Sequence, residues 1–149
     1  MKRAWSGILV ACLVLVAIIG CRGGGQIYSV KDAPVQTATG KEPSMEDVQK
    51  AIIAAGVGLG WQMAISKPGE IIGTLNVRSH QAVVTIPYTS KTYSILYKDS
   101  SNLNYNAEKQ TIHKSYTGWI QRLNDAIRSR LTGAEIGRAS CRERVYSSV

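Results

Sequence analysis

Apolar residues recur along this chain in two distinct rhythms. From Trp61 to Lys98 they alternate with polar ones: Trp61, Met63, Ile65, then Ile71, Leu75, Val77, then Ala82, Val84, Ile86, Tyr88, then Tyr93, Ile95, Tyr97. Period-two alternation over short segments predicts half-buried strands. Between the segments stand turn residues. Lys67-Pro68-Gly69-Glu70 has the chemistry of a type II turn, and Arg78 to Gln81 and Thr89-Ser90 supply the other two links. Such short links permit only antiparallel neighbours, so the stretch predicts a four-stranded meander. One face is expected to be covered, while the other carries Gln62, Thr74, Asn76, Arg78, Thr85 and Ser94. Gly73 interrupts its strand and is read as a bulge.

On either side the rhythm changes to three and four. Val48, Ala51, Ile52 and Ala55 form one stripe, preceded by Ser44 as an N-cap with Asp47 three positions on, and by acidic residues in the first turn. Gly56, Gly58 and Gly60 are expected to end this helix. A second stripe, Tyr116, Ile120, Leu123, Ile127 and Leu131, predicts a helix from about Tyr116 to Leu131 that stops before Gly133. Its outward positions are Arg122, Asp125, Arg128 and Ser129. The fold class that follows is α+β, in the order α-β-β-β-β-α, with both helices on one face of the sheet. Gln26 to Val30 allows an extra N-terminal strand, Ala33 to Pro43 has loop composition, and Asp99 to Lys114 forms a long polar link.

The two ends read differently. Lys2 and Arg3 precede an apolar run from Ile8 to Ile19 that is too short to span a bilayer, the layout of an export signal. Ile18-Ile19-Gly20-Cys21 then resembles the lipobox of bacterial lipoproteins, although the family's pattern prefers Leu where Ile18 stands. The resemblance implies cleavage after Gly20, a diacylglyceryl group on the Cys21 thiol, and fatty acid such as palmitate on the new amino terminus. Several chains together give stable anchoring where one does not. Arg22 follows the cysteine, and it is not the aspartate that resembles an inner-membrane retention signal. The expected location is therefore the outer membrane, with the domain facing the periplasm. At the other end, Glu135 to Val145 resembles a translated sequencing adapter. The expected organisation is a signal peptide at 1–20, a lipidated cysteine and flexible tether at 21–43, an α+β domain at 44–133, and a non-native tail at 134–149.

These boundaries change the composition. The whole chain carries a formal charge of +8, but Lys2, Arg3 and a net single charge in the tail fall outside, leaving +5 on residues 21–133. That balance favours acidic partners and serves solubility equally. Cys12 and Cys141 lie in the signal and the tail, so Cys21 is the single cysteine left and no disulfide is expected.

No motif carries catalysis. Gly56-Val57-Gly58-Leu59-Gly60 follows a helix and precedes a strand, the reverse of a dinucleotide fingerprint, and no Lys-Ser/Thr pair follows it. There is no Gly-x-Ser-x-Gly elbow. His80 and His113 can meet in space, yet two imidazoles without Cys or paired carboxylates make a poor zinc site. No cofactor or metal is expected, and nucleic acid does not suit an exported, anchored chain. One aromatic-basic set stands out as a candidate ligand or partner face: Arg78, Tyr88, Lys91, Tyr93, Tyr97 and Lys98, with Tyr105 nearby.

Ile86-Pro87-Tyr88, Tyr93-Ser94-Ile95, Tyr97-Lys98-Asp99-Ser100, Ile112-His113 and Trp119 also resemble a group of small uncharacterised proteobacterial lipoproteins, a similarity spanning Tyr28 to Leu131. It implies no activity. Two function classes follow from these residues: a non-catalytic interaction or assembly module of the envelope, or a binder of an anionic envelope ligand such as a glycan or lipid headgroup.

Overall fold

The computed structural model describes residues 24–145, with side chains to residue 133. The signal segment, Cys21 and the last four residues lie outside the described residues. The protein is α+β, with two helices, a five-stranded antiparallel sheet and a small two-stranded sheet.

Its elements, in chain order, are β1 (Gly25–Gln26), β2 (Val30–Pro34), α1 (Met45–Gly58), β3 (Gln62–Lys67), β4 (Glu70–Val77), β5 (His80–Pro87), β6 (Thr92–Ser101), β7 (Thr111–Ile112) and α2 (Ser115–Val145). The large sheet has the order β2-β6-β5-β4-β3, and β1 pairs with β7. Local chemistry sets most boundaries. The Ser44 hydroxyl accepts from the Asp47 amide at 3.1 Å and donates to the Asp47 carboxylate at 2.7 Å, capping α1. Gly69, at φ 82, closes the β3–β4 turn opposite Pro68, with Lys67 paired to Glu70.

The expected four-stranded sheet has a fifth member. The N-terminal chain does not form one strand over Gln26 to Val30. It splits into β1 and β2, and β2 adds to the β6 edge with Val30 opposite Ile95 and Pro34 opposite Thr92. Ala33 and Pro34 therefore belong to a strand, although they fall in the expected loop, and two short stretches of the expected tether are sheet. The reason is an open edge: β6 would otherwise present its backbone groups unpaired.

Both helices cover one face of the sheet. Ile71, Leu75, Ala82, Val84, Ile86 and Ile95 are buried there with Val48, Ile52 and Ala55 of α1 and Ile120, Leu123 and Ile127 of α2. Gly73 is not a bulge. It pairs in unbroken register with Val84, and a methyl there would lie 3.3 Å from Trp61 Cε3 and 3.1 Å from Val84 Cγ2. The residue is small because the Val84, Met63 and Trp61 side chains close around it. Gly56 has the same logic inside α1, where a Cβ would run into the Met63 side chain. Irregularities in the ladders fall instead at Val30/Ala33, Ile65/Lys67 and Val83/Val84.

The polar link after β6 is shorter and better tied than its composition predicts. β6 continues through Ser101, and Leu103 and Ile112 are buried at 1% and 0% exposure. These two apolar residues pull the segment down onto the core. α2 also departs from expectation, because its backbone runs past Leu131 and Gly133 to Val145. A lone glycine costs a helix only about 1 kcal/mol, and Gly133 is not among the glycines of positive φ that a C-cap uses.

Candidate functional site

The two faces of the sheet differ in what covers them. Opposite the helices, Ala64, Ile72, Thr85 and Leu96 form one cross-strand row, and Gln62, Thr74, Val83 and Asp99 form the next. Ile72, Thr74, Val83, Thr85 and Leu96 are half-buried, on the face opposite the one where the helix residues of the core pack. Alternation accounts for their chemistry: β-branched and aliphatic residues pack a pleated surface well whichever side they face. This open face retains the Gln62, Thr74, Asn76, Thr85 and Ser94 expected from the pattern. Ser94 differs, being buried at 7% because the Asp32 amide of β2 donates to its hydroxyl at 2.9 Å.

The aromatic-basic set does not form a face. Tyr88 and Tyr93 lie on the covered side, at 3% and 1% exposure. Their hydroxyls donate to Gln49 Oε1 of α1 at 2.7 Å and to Asn124 Oδ1 of α2 at 2.8 Å. They are joints between sheet and helices. Burial pushes the Tyr93 phenol up to about 12, with smaller effects from Arg128 and Asp125. Tyr97, also on the covered side, lies against Tyr105 with the rings tilted by 32° and their centroids 4.5 Å apart, and meets the edge of Tyr116 at 5.9 Å. Burial raises the Tyr97 and Tyr116 phenols as well.

The three cations of the set are dispersed. Arg78 lies in the β4–β5 turn at one end of the sheet, with φ 56. Lys91 lies in the β5–β6 turn at the other end, 3.9 Å from the Glu42 carboxylate. Lys98 is exposed at the irregularity in β6. Lys91 lines an open depression of about 600 Å³ with Val35, Thr37, Lys41, Glu42 and Ser90. Ser90 donates to Glu42 there at 2.6 Å, so its polar groups already satisfy one another, and no aromatic ring floors it.

His80 and His113 do meet, their rings stacked 5.6 Å apart at 20°. His80 Nδ1 donates to the Asn102 carbonyl at 2.7 Å, and His113 Nδ1 accepts from the Ser115 amide at 3.3 Å. The second bond puts the His113 proton on Nε2, which therefore offers no lone pair for a shared ligand. The pair ties the start of α2 to the β4–β5 turn. Among the described residues no three His, Cys, Asp or Glu side chains gather where they could hold a metal ion. Also among the described residues, no helix is long and apolar enough to cross a membrane.

Sequence reasoning missed the corner where the chain enters the domain. Gly24 packs so closely on Ile112 that a Cβ would lie 2.9 Å from the Ile112 carbonyl oxygen, and the Ile27 amide donates to the Gln110 carbonyl at 2.8 Å. Only the glycine run at 23–25 hinted at a close approach. Comparison of the chain with protein-family models, curated proteins and solved structures finds no match.

Proposed function

We propose that this protein is a non-catalytic bacterial envelope lipoprotein, anchored through Cys21 at the outer membrane and facing the periplasm, that acts as an interaction or assembly module. The observation that supports the reading best is the open face of the sheet. One side of a small domain is sealed by two helices, while the other keeps Ile72, Val83, Thr85 and Leu96 half-exposed in adjoining rows. A contiguous apolar surface rimmed by polar groups such as Gln62, Asn76 and Asp99 suits a protein partner. The alternative, an anionic ligand held by Arg78, Lys91, Lys98 and the tyrosines as one face, is less well supported, because the tyrosines point into the core and Lys91 is paired.

A photo-crosslinking residue at Thr85 in intact cells should give a discrete protein adduct, and the same residue at Arg128, on the outward side of α2, should give none. Thr85→Arg should abolish function without unfolding the domain, since Thr85 is only half-buried and lies on the face opposite the helices. Adducts from position 128 and none from position 85 would contradict the proposal.

A further inference from the structure

We infer that the corner formed by β1, β7 and the β4–β5 turn rests directly on the anionic headgroups of the bilayer that holds the lipid. The inference builds on the proposed anchoring at Cys21.

Three observations carry it. The first is reach. Only Arg22 and Gly23 lie between Cys21 and Gly24, and an extended chain gains at most about 3.6 Å per step, so Gly24 stays within roughly 11 Å of the lipidated cysteine. Gly24 is fixed at this corner by its packing on Ile112 and by the pairing of Gly25 with Ile112 and Gln26 with Thr111.

The second is rigidity. The His113 amide donates to the Leu103 carbonyl at 2.8 Å, and Asn102 Nδ2 donates to the Ser79 carbonyl at 2.7 Å. Together with the His80–Asn102 bond and the histidine stack, these join the 78–80 turn, the 102–113 segment and the start of α2 into one piece.

The third is charge. Arg78, Lys109 and Lys114 are exposed on this piece, with Glu108 as the acid among them. None of the three cations makes an ion pair within the described residues, whereas Lys50, Lys67 and Lys91 are paired with Glu46, Glu70 and Glu42. Lys31, Lys41, Lys98, Arg122, Arg128 and Arg130 are also exposed and without an ion pair among the described residues, so what sets Arg78, Lys109 and Lys114 apart is their place on the piece that holds the N-terminal end of the domain. Tyr105, 37% exposed on the same segment, adds an aromatic ring of the kind that settles at a headgroup interface. Docked this way, the strands run outward from the bilayer and the open sheet face is left at the side, accessible to a partner.

The test is hydrogen exchange on the full chain, extracted from bacterial membranes and reconstituted into vesicles of phosphatidylglycerol with phosphatidylcholine, or of phosphatidylcholine alone. Each basic residue at an anionic surface contributes about a fivefold preference, so exchange at 78–80 and 104–114 should slow by on the order of tenfold or more on the anionic vesicles only. The triple variant Arg78→Gln, Lys109→Gln, Lys114→Gln should lose this slowing, and Lys50→Gln with Lys91→Gln should retain it. Equal exchange on both vesicles, or slowing that survives the triple variant, would overturn the inference. The mass of the N-terminal peptide reports separately whether Cys21 carries lipid. If it carries none, the anchoring proposal falls, and slowing of the same segments by excess anionic vesicles still decides whether the corner binds headgroups.

Discussion

Trp61 packs directly over Gly73, with Cε3 of the indole 3.3 Å from where a methyl on that glycine would stand. Trp61 is 3% exposed and precedes β3, so this contact closes the sheet edge beneath the end of α1. Gly73→Ala should cost about 1–3 kcal/mol through overpacking, despite the better strand propensity of alanine. In a Trp61→Leu background the cost of Gly73→Ala should shrink, because contacting residues are not additive. Urea titration of the four proteins measures the coupling directly. Additive losses would mean that the glycine is required for some other reason.

The centre of the core makes a sharper contrast. Leu123 and Ile127 are fully buried on α2, against the strand face that bears Leu75 and Val84, while Arg128 is exposed one position further on. Leu123→Ala or Ile127→Ala should cost about 2–5 kcal/mol, and Arg128→Ala under about 0.5 kcal/mol. Denaturant midpoints at constant slope check this.

The tyrosines predict opposite effects of one substitution. Tyr116 is fully buried and its hydroxyl has no hydrogen-bond partner among the described residues. Tyr116→Phe should raise stability by roughly 1 kcal/mol, since an unsatisfied buried hydroxyl is costly. Tyr93→Phe should lower it by about the same amount, because Asn124 loses its donor.

The same phenols set an alkaline limit. The Tyr93 phenol is pushed up to about 12 by burial, from 10.0. The unfolded chain therefore gives up this proton first, and stability is complete below about pH 10 and lost as pH rises from there to about 12. Burial shifts Tyr116 in the same direction. The midpoint of urea unfolding should fall across this window, and less steeply in Tyr93→Phe.

Much of this architecture was legible because it is local. The Ser44 cap, the Pro68-Gly69 turn and the alternation of β4 and β5 each depend on neighbours within a few residues, and the structure has all three. β3 departs from the pattern, with Ile65 53% exposed beside the irregularity at Ile65/Lys67. The fifth strand was not legible: Val30 to Pro34 shows no alternation, and its partner β6 lies some sixty residues away in sequence, as the bond from the Asp32 amide to Ser94 illustrates. Leu103 and Ile112 were visible as isolated apolar residues, but a stripe is needed to predict burial. The tyrosine set shows a different failure. The pattern already put Tyr88 on the side of Ala82, Val84 and Ile86, and grouping it with Lys91 ignored that side. Gly133 was read as a stop, yet glycine ends a helix only where the backbone takes a positive φ. Which face of the sheet meets a partner is not a property of local pattern at all, because aliphatic and β-branched residues suit both sides.

The central claim is that the chain is an anchored lipoprotein, and its most direct test lies at Cys21. Cells expressing the protein and fed an alkyne fatty acid should yield a labelled wild-type band and an unlabelled Cys21→Ser band, with the wild type in the outer-membrane fraction. Equal labelling of the two, or a wild type that takes no label and fractionates with the soluble periplasm, would contradict the account.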